Sequence, residues 1–142
     1  MGKPDLEAVE TGLRGVPYGP IKRNHWTTSK TIHEKIKADL QYYGIKQGYQ
    51  PLPEFSPTAN HGENDHLIDI GWFDRESYNP AVAFEIDGGV SQHSVKKLNK
   101  LNDDVVKVII SKSPNSTYIR KKAEKNLPPD FEHIDVEVWK DG

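Results

Sequence analysis

Three acids near the middle of the chain have the residue types and spacing to hold a cation. Asp69 lies in HLIDIGWF (66–73). Glu85 and Asp87 lie in PAVAFEID (80–87), which is followed at once by Gly88 and Gly89. Both segments alternate apolar with polar residues, the pattern of a β-strand with two distinct faces, and DRESYN (74–79) between them has the composition of a turn. In an antiparallel hairpin the numbers of facing residues sum to a constant. A sum of 154 sets Ile68 opposite Ile86, Ile70 opposite Phe84 and Trp72 opposite Val82, an unbroken apolar face with Ser77 at the centre of the turn. The same sum sets Asp69 opposite Glu85. A slip of one residue would put acids against apolar side chains along the whole pair, so the pattern selects this register. Asp69, Glu85 and Asp87 are then expected together on the second face.

Carboxylates gathered in this way repel one another by a few kcal/mol unless a cation or a proton intervenes. Hard oxygen ligands of this kind are what Mg²⁺ and Mn²⁺ prefer. The alternative is a plain solvent-exposed polar face, the ordinary fate of an alternating hairpin. The other members of the face, Leu67, Ala81 and Ala83, point instead to a helix covering most of it, with the acids left at a rim.

The elements that would position these acids can be read on either side. TSKTIHEKIKADLQYYG places Ile32, Ile36, Leu40 and Tyr43 at helical spacing, with Thr28 or Ser29 as N-cap and Gly44 as the stop. YQPLPEF (49–55) reads as an edge strand because of its prolines. After the double glycine, SQHSVKKLNKLNDD opens with Ser91 as N-cap and carries Val95, Leu98, Leu101 and Val105 on one stripe. VVKVIIS (105–111) reads as a buried strand, STYIRKKAEKNL (116–127) as a basic helix and IDVEVW (134–139) as a closing strand. The predicted order is α-β-β-β-α-β-α-β, an α/β fold with a mixed central sheet flanked by helices. Residues 1–27, rich in Gly and Pro, read as an irregular N-terminal arm, and 28–142 as one domain.

An opening helix bearing an acid, a hairpin with Asp on its first strand and Glu-x-Asp on its second, then a helix and a buried strand resemble the PD-(D/E)xK, or restriction-endonuclease-like, nuclease superfamily. The resemblance spans roughly residues 28–112 and implies that family's α-β-β-β-α-β core. It implies that Asp69 and Glu85 bind a catalytic Mg²⁺ or Mn²⁺, that Asp87, at the triplet's third position, handles the attacking water, and that Glu34 on the first helix supports the metal. The chain departs from the pattern in having Ile68 where the motif has proline and Asp87 where it has lysine. Aspartate can accept a proton or ligate metal but cannot offset negative charge. Some members of that family use an acid at this position; alternatively Gln92 or Lys96 on the helix after the glycines supplies the missing function, Gln92, the better placed, on a flank of the apolar stripe and Lys96 by reaching back along its stem. The expected activity is DNA hydrolysis by in-line attack of a metal-activated water. A non-catalytic nucleic-acid-binding or assembly domain with the same fold is the alternative.

Charge distribution fits a polyanionic partner better than net charge does. The 142 residues carry a net charge of −2, but the balance is +3 over residues 1–50, −7 over 51–93 and +2 over 94–142. Basic residues cluster near the first helix (Lys22, Arg23, Lys30, Lys35, Lys37) and towards the C-terminus (Lys112, Arg120, Lys121, Lys122, Lys125), where they are expected to hold DNA phosphates on either side of the acids. A homodimer is one way to cut both strands of a duplex. His33 and His93 are further candidates for phosphate contact. HGENDH offers His61 and His66 with Glu63 or Asp65 as a competing transition-metal site, without an established ligand spacing. There is no cysteine, hence no disulfide or thiolate site, and no apolar run long enough for a signal or membrane segment. A cytoplasmic protein without membrane association is expected.

Overall fold

The computed structural model describes residues 3–19, 25–57, 67–113, 121 and 125–138, with the side chains of 25–29, 113 and 137 left aside. The chain forms a mixed α/β fold: an open five-stranded sheet with helices on both faces. In chain order the elements are α1 (Leu6–Arg14), α2 (His25–Lys46), β1 (Gln50–Phe55), β2 (Ile68–Phe73), β3 (Pro80–Asp87), α3 (Gln92–Asn99), β4 (Val106–Ser113) and β5 (Glu132–Glu137). The strands lie side by side in sequence order. β2 runs antiparallel to both β1 and β3, whereas β3, β4 and β5 run parallel, so the sheet changes character at β3. Most of the basic segment read as a helix over 116–127 lies outside the described residues; positions 121, 125 and 126 within it are helical. Among the described residues no helix is long and apolar enough to cross a membrane.

Two apolar layers hold the sheet. Ile32, Ile36 and Leu40 of α2, with Val9 and Leu13 of α1, pack on Ile70, Trp72, Val82, Phe84, Val108 and Ile110. On the opposite face, Val95 and Leu98 of α3 pack with Ala83, Ile109, Ile68 and Phe55. The α3 stripe and its cap are as expected from the sequence: the Ser91 side chain accepts from Ser94 N–H at 3.1 Å. Pro51 and Pro53 sit on edge strand β1, where a missing N–H is tolerated.

The N-terminal lead-in differs from its expected irregular course, because it contains α1. Asp5 caps this helix by accepting from Ala8 N–H at 3.0 Å, and Val9 and Leu13 are fully buried. Nine residues, one turn before a Gly-Pro-rich stretch, make a helix too short to hold by itself. It is held by docking: Arg14 Nε donates to the Asp135 carbonyl at 3.2 Å, and Asp5 and Gln47 exchange two hydrogen bonds.

Helix α2 starts earlier than Thr28 and runs through Gly44 to Lys46. The left-handed residue that ends it is Gly48, at φ 92°, and Tyr49 N–H closes the turn on the Gly44 carbonyl at 2.9 Å. Gly44 serves close packing instead. A Cβ there would lie 2.6 Å from Trp72 Nε1 and 2.7 Å from its Cδ1. Trp72 is fully buried, donates to the Leu40 carbonyl at 3.0 Å and packs against Tyr49 and Phe84, so it cannot move aside. Gly44→Ala, which on an exposed helix would stabilise by up to about 1 kcal/mol, is expected here to destabilise by about 1–3 kcal/mol through overpacking. A denaturant melt in which Gly44→Ala equalled or exceeded the wild type would contradict this packing.

Candidate active site where β2 and β3 part

The predicted hairpin register is present over Ile70↔Phe84, Gly71↔Ala83 and Trp72↔Val82, then shifts between Trp72 and Phe73, so that Phe73 pairs with Pro80. At the other end the ladder does not continue to Asp69 and Glu85. There the backbones bond to side chains: Asp69 N–H donates to Glu85 Oε2 at 2.9 Å, and Ile86 N–H donates to Asp69 Oδ2 at 2.7 Å. On the far side, β1 also skips this row. Pro53 pairs with Ile70 and Phe55 with Ile68, while Glu54 between them adopts φ 53°, a left-handed conformation uncommon for a residue with a side chain. The sheet is thus opened at one row, and two carboxylates are inserted into the opening.

The expectation that the acids share one open face at a rim needs correction. Asp69 engages α2, with Oδ2 3.4 Å from His33 Nε2, whereas Glu85 engages α3, with Oε1 2.5 Å from Lys97 Nζ. Their side chains are 19% and 3% exposed, so both acids are well inside. Ile68, expected alongside Ile70, packs instead with Phe55 in the α3 layer. Only Asp87 is at the rim. Its Oδ1 accepts from Gly88 N–H at 2.7 Å and its Oδ2 from Ser94 Oγ at 2.9 Å, and a Cβ on Gly88 would meet nothing within 4 Å.

Electrostatics separates the two inner acids. Burial, and after it the negative charge of Asp69, pushes Glu85 up to about 7 against the opposing pull of Lys97 and the Asp69 N–H. Burial also acts to raise Asp69, but the His33 hydrogen bond, the Ile86 N–H and the nearby charges of His33 and Lys97 outweigh it and hold Asp69 below its ordinary value. His33 is raised, chiefly by its bond to Asp69 and against its own desolvation. Lys112 on β4 is lowered by desolvation, while Asp87 and Asp69 both act to keep it charged.

These shifts set a pH dependence. Between 4.5 and about 7 the folded protein keeps a Glu85 proton that the unfolded chain releases, so stability falls as pH rises through that window. His33, raised above 6.5, works in the same direction, its contribution being lost as pH rises through its folded value. Asp69, lowered from 3.8, contributes stability that is lost only at more acid pH. Metal-free protein is expected to lose stability from about pH 5 to about pH 8, by no more than roughly 3 kcal/mol from Glu85. Glu85→Gln should flatten that slope; denaturant melts showing the same slope in both proteins would refute it.

The other sequence candidates fall in different places. Glu34 lies one ring removed from Asp69: its Oε1 is 3.6 Å from His33 Nδ1, and its other oxygen pairs with Lys37. Gln92 and Lys96 are exposed on α3 and make no contact with the acids; the residue that does is Lys97, joined by Ser94. Lys37 is buried between Glu34 and Glu54 and so leaves the expected phosphate footprint. Lys30, Lys35, Lys121 and Lys125 are exposed, as is His93. Lys22, Arg23, Arg120, Lys122, His61, Glu63, Asp65 and His66 lie outside the described residues.

Among the described residues no group of three or more His, Asp or Glu side chains forms a ready metal cage, and no buried side-chain nitrogen or oxygen lacks a partner. The donor set nonetheless suits a hard divalent ion. Asp69 and Glu85 supply carboxylate oxygens, and Lys97 Nζ, bonded to Glu85 and to the Leu67 carbonyl at 3.0 Å, marks a position where positive charge is held. Mg²⁺ commonly takes only one or two carboxylates and completes its shell with water and substrate phosphate. A separate cavity of about 610 Å³, lined by Leu6, Tyr49, Asp74, Pro80, Val106 and Glu132 among others, opens at the opposite end of the parallel strands and contains none of these acids. Compared with known proteins, the chain matches no family model, no curated protein and no solved structure.

Proposed function

We propose that this chain is a Mg²⁺- or Mn²⁺-dependent deoxyribonuclease with a restriction-endonuclease-like core, hydrolysing a DNA phosphodiester. The observation that carries the reading is the opened row of the sheet, where Asp69 and Glu85 each accept from the other strand's backbone, Glu85 buried and Asp69 partly so. Such an arrangement sacrifices ladder bonds to bring two like charges together, which favours a site over a surface. It lies towards the C-terminal end of β3, beside the parallel strand β4, where open α/β sheets bind ligands.

Asp69 and Glu85 are the residues to hold the ion, which when bound supplies Lewis-acid polarisation of the phosphodiester and a lowered pKa for water. Asp87 is the proton acceptor at the rim, its carboxylate aimed by Ser94 Oγ and Gly88 N–H. Lys112, in the field of Asp87 and Asp69, is the cation that offsets negative charge in place of the motif's lysine. Exposed Lys30, Lys121 and Lys125 extend positive charge along the DNA.

One observation favours a second reading. Each inner acid already has an internal partner, Lys97 for Glu85 and His33 for Asp69, as expected of a nucleic-acid-binding domain without turnover. Incubating the protein with labelled duplex, single-stranded, flap and junction DNA, and with RNA, in Mg²⁺ or Mn²⁺ separates the two. Cleavage of a DNA form is expected; retention of DNA without cleavage in either metal would leave the second reading.

A further inference from the structure

Lys97 does more than neutralise one acid. Its Nζ is 2.5 Å from Glu85 Oε1 and donates to the Leu67 carbonyl at 3.0 Å, with the lysine side chain 12% exposed. Leu67 immediately precedes β2, so the ammonium bridges the ends of the two strands that part around Asp69 and Glu85. A carboxylate oxygen and a main-chain carbonyl oxygen are also the donors that a hard divalent cation takes. From this geometry we infer that Lys97 is a built-in counter-ion occupying the divalent-cation position at Glu85, so that metal enters only as the ammonium withdraws and Lys97 sets the metal affinity of the site. The inference rests on the metal-dependent reading above.

The chemistry of lysine suits such a place-holder. An ammonium is a compact point charge on a flexible four-carbon stem, able to swing out to water without moving the helix that carries it. Neighbours on α3 stay behind when it leaves: Val95 and Leu98 are buried in the core, and Ser94 remains on Asp87. A cation brought to contact with Glu85 Oε1 beside the docked ammonium meets like-charge repulsion, so binding of metal and docking of Lys97 oppose each other and are reciprocally linked. A lysine that only stabilised the fold would produce the opposite result when removed, since the carboxylates would be left less well organised for any ligand.

Calorimetric titration of Mn²⁺ into the full chain, with no nucleic acid present, tests this on wild type, Lys97→Met and Lys97→Arg. Lys97→Met is expected to bind Mn²⁺ at least about fivefold more tightly than wild type, and Lys97→Arg to show no such gain because the positive charge is kept. Equal or weaker binding by a folded Lys97→Met would overturn the inference while leaving the metal site intact. If circular dichroism shows Lys97→Met unfolded, Lys97→Gln, which keeps a donor for the Leu67 carbonyl, is read in its place against the same threshold. Uptake by the variant alone would support the inference most strongly. No uptake by wild type or by any folded variant would overturn the inference together with the metal-dependent reading.

Discussion

Glu85→Ala is expected to abolish Mn²⁺ uptake and reduce DNA cleavage to the background of the metal-free protein. Glu85 is the most enclosed acid of the opened row and the one that links β3 to both Asp69 and Lys97. Alanine removes its charge, its acceptor for the Asp69 N–H and the partner of a largely buried ammonium. Losing one member of a buried pair typically costs about 3–5 kcal/mol, so part of the effect of alanine would be lost stability. Glu85→Gln separates the two contributions. It keeps an acceptor for Asp69 N–H at the same place but cannot carry the negative charge a divalent ion requires. Metal uptake by calorimetry should vanish in Glu85→Gln while its melting transition survives; a folded Glu85→Gln that bound Mn²⁺ and cut DNA like wild type would exclude Glu85 as a ligand.

Asp87→Asn is expected to retain metal affinity within about threefold and to lose about 10²–10⁴-fold in cleavage rate, the usual worth of a positioned general base. The amide still accepts from Gly88 N–H and still meets Ser94 Oγ, so the rim geometry is kept while the basic oxygen is lost. This split between binding and rate distinguishes Asp87 from Glu85. It is read in single-turnover cleavage at saturating metal, and wild-type rates in Asp87→Asn would reduce Asp87 to a polar residue of the rim.

Much of this arrangement was legible in the chain because alternation is a strong signal. The facing pairs Ile70/Phe84 and Trp72/Val82 follow from it directly, whereas the expected pairing of Asp69 with Glu85 on one face is replaced by a bond from the Asp69 N–H to the Glu85 side chain. What alternation could not convey is that the ladder stops at those acids. A carboxylate bonding to the neighbouring backbone replaces a ladder bond without changing the sequence pattern, and the bend at Glu54 that permits it lies on a different strand. The identity of the α3 contact was lost for a related reason. The stripe Val95, Leu98, Leu101 fixes which side of the helix is buried but not which of its two flanks faces the acids, and Lys97 lies on the flank opposite Gln92. Ser94 and Lys97, three residues apart on that flank, were the available signal. Gly44 resembled a helix stop because a glycine needed for close approach and one needed for a left-handed turn look alike in sequence; only Trp72 against it tells them apart. The α1 helix was readable from Leu6, Val9 and Leu13 at helical spacing behind Asp5 as N-cap, a signal masked by the Gly- and Pro-rich stretch that follows it.

Whether the parted row holds a divalent ion used to hydrolyse DNA is decided by single-turnover cleavage of end-labelled DNA. Wild type and Asp69→Ala are compared side by side, with Mg²⁺, with Mn²⁺ and after chelation. Asp69 is the acid whose loss leaves the Glu85–Lys97 pair in place, so a folded variant is expected. Wild type is expected to cleave in metal, to stop after chelation and to recover on adding metal back, with Asp69→Ala at background throughout. Metal-dependent cleavage by Asp69→Ala at the wild-type rate, or the absence of cleavage by wild type on every DNA form, would contradict the metal-dependent reading.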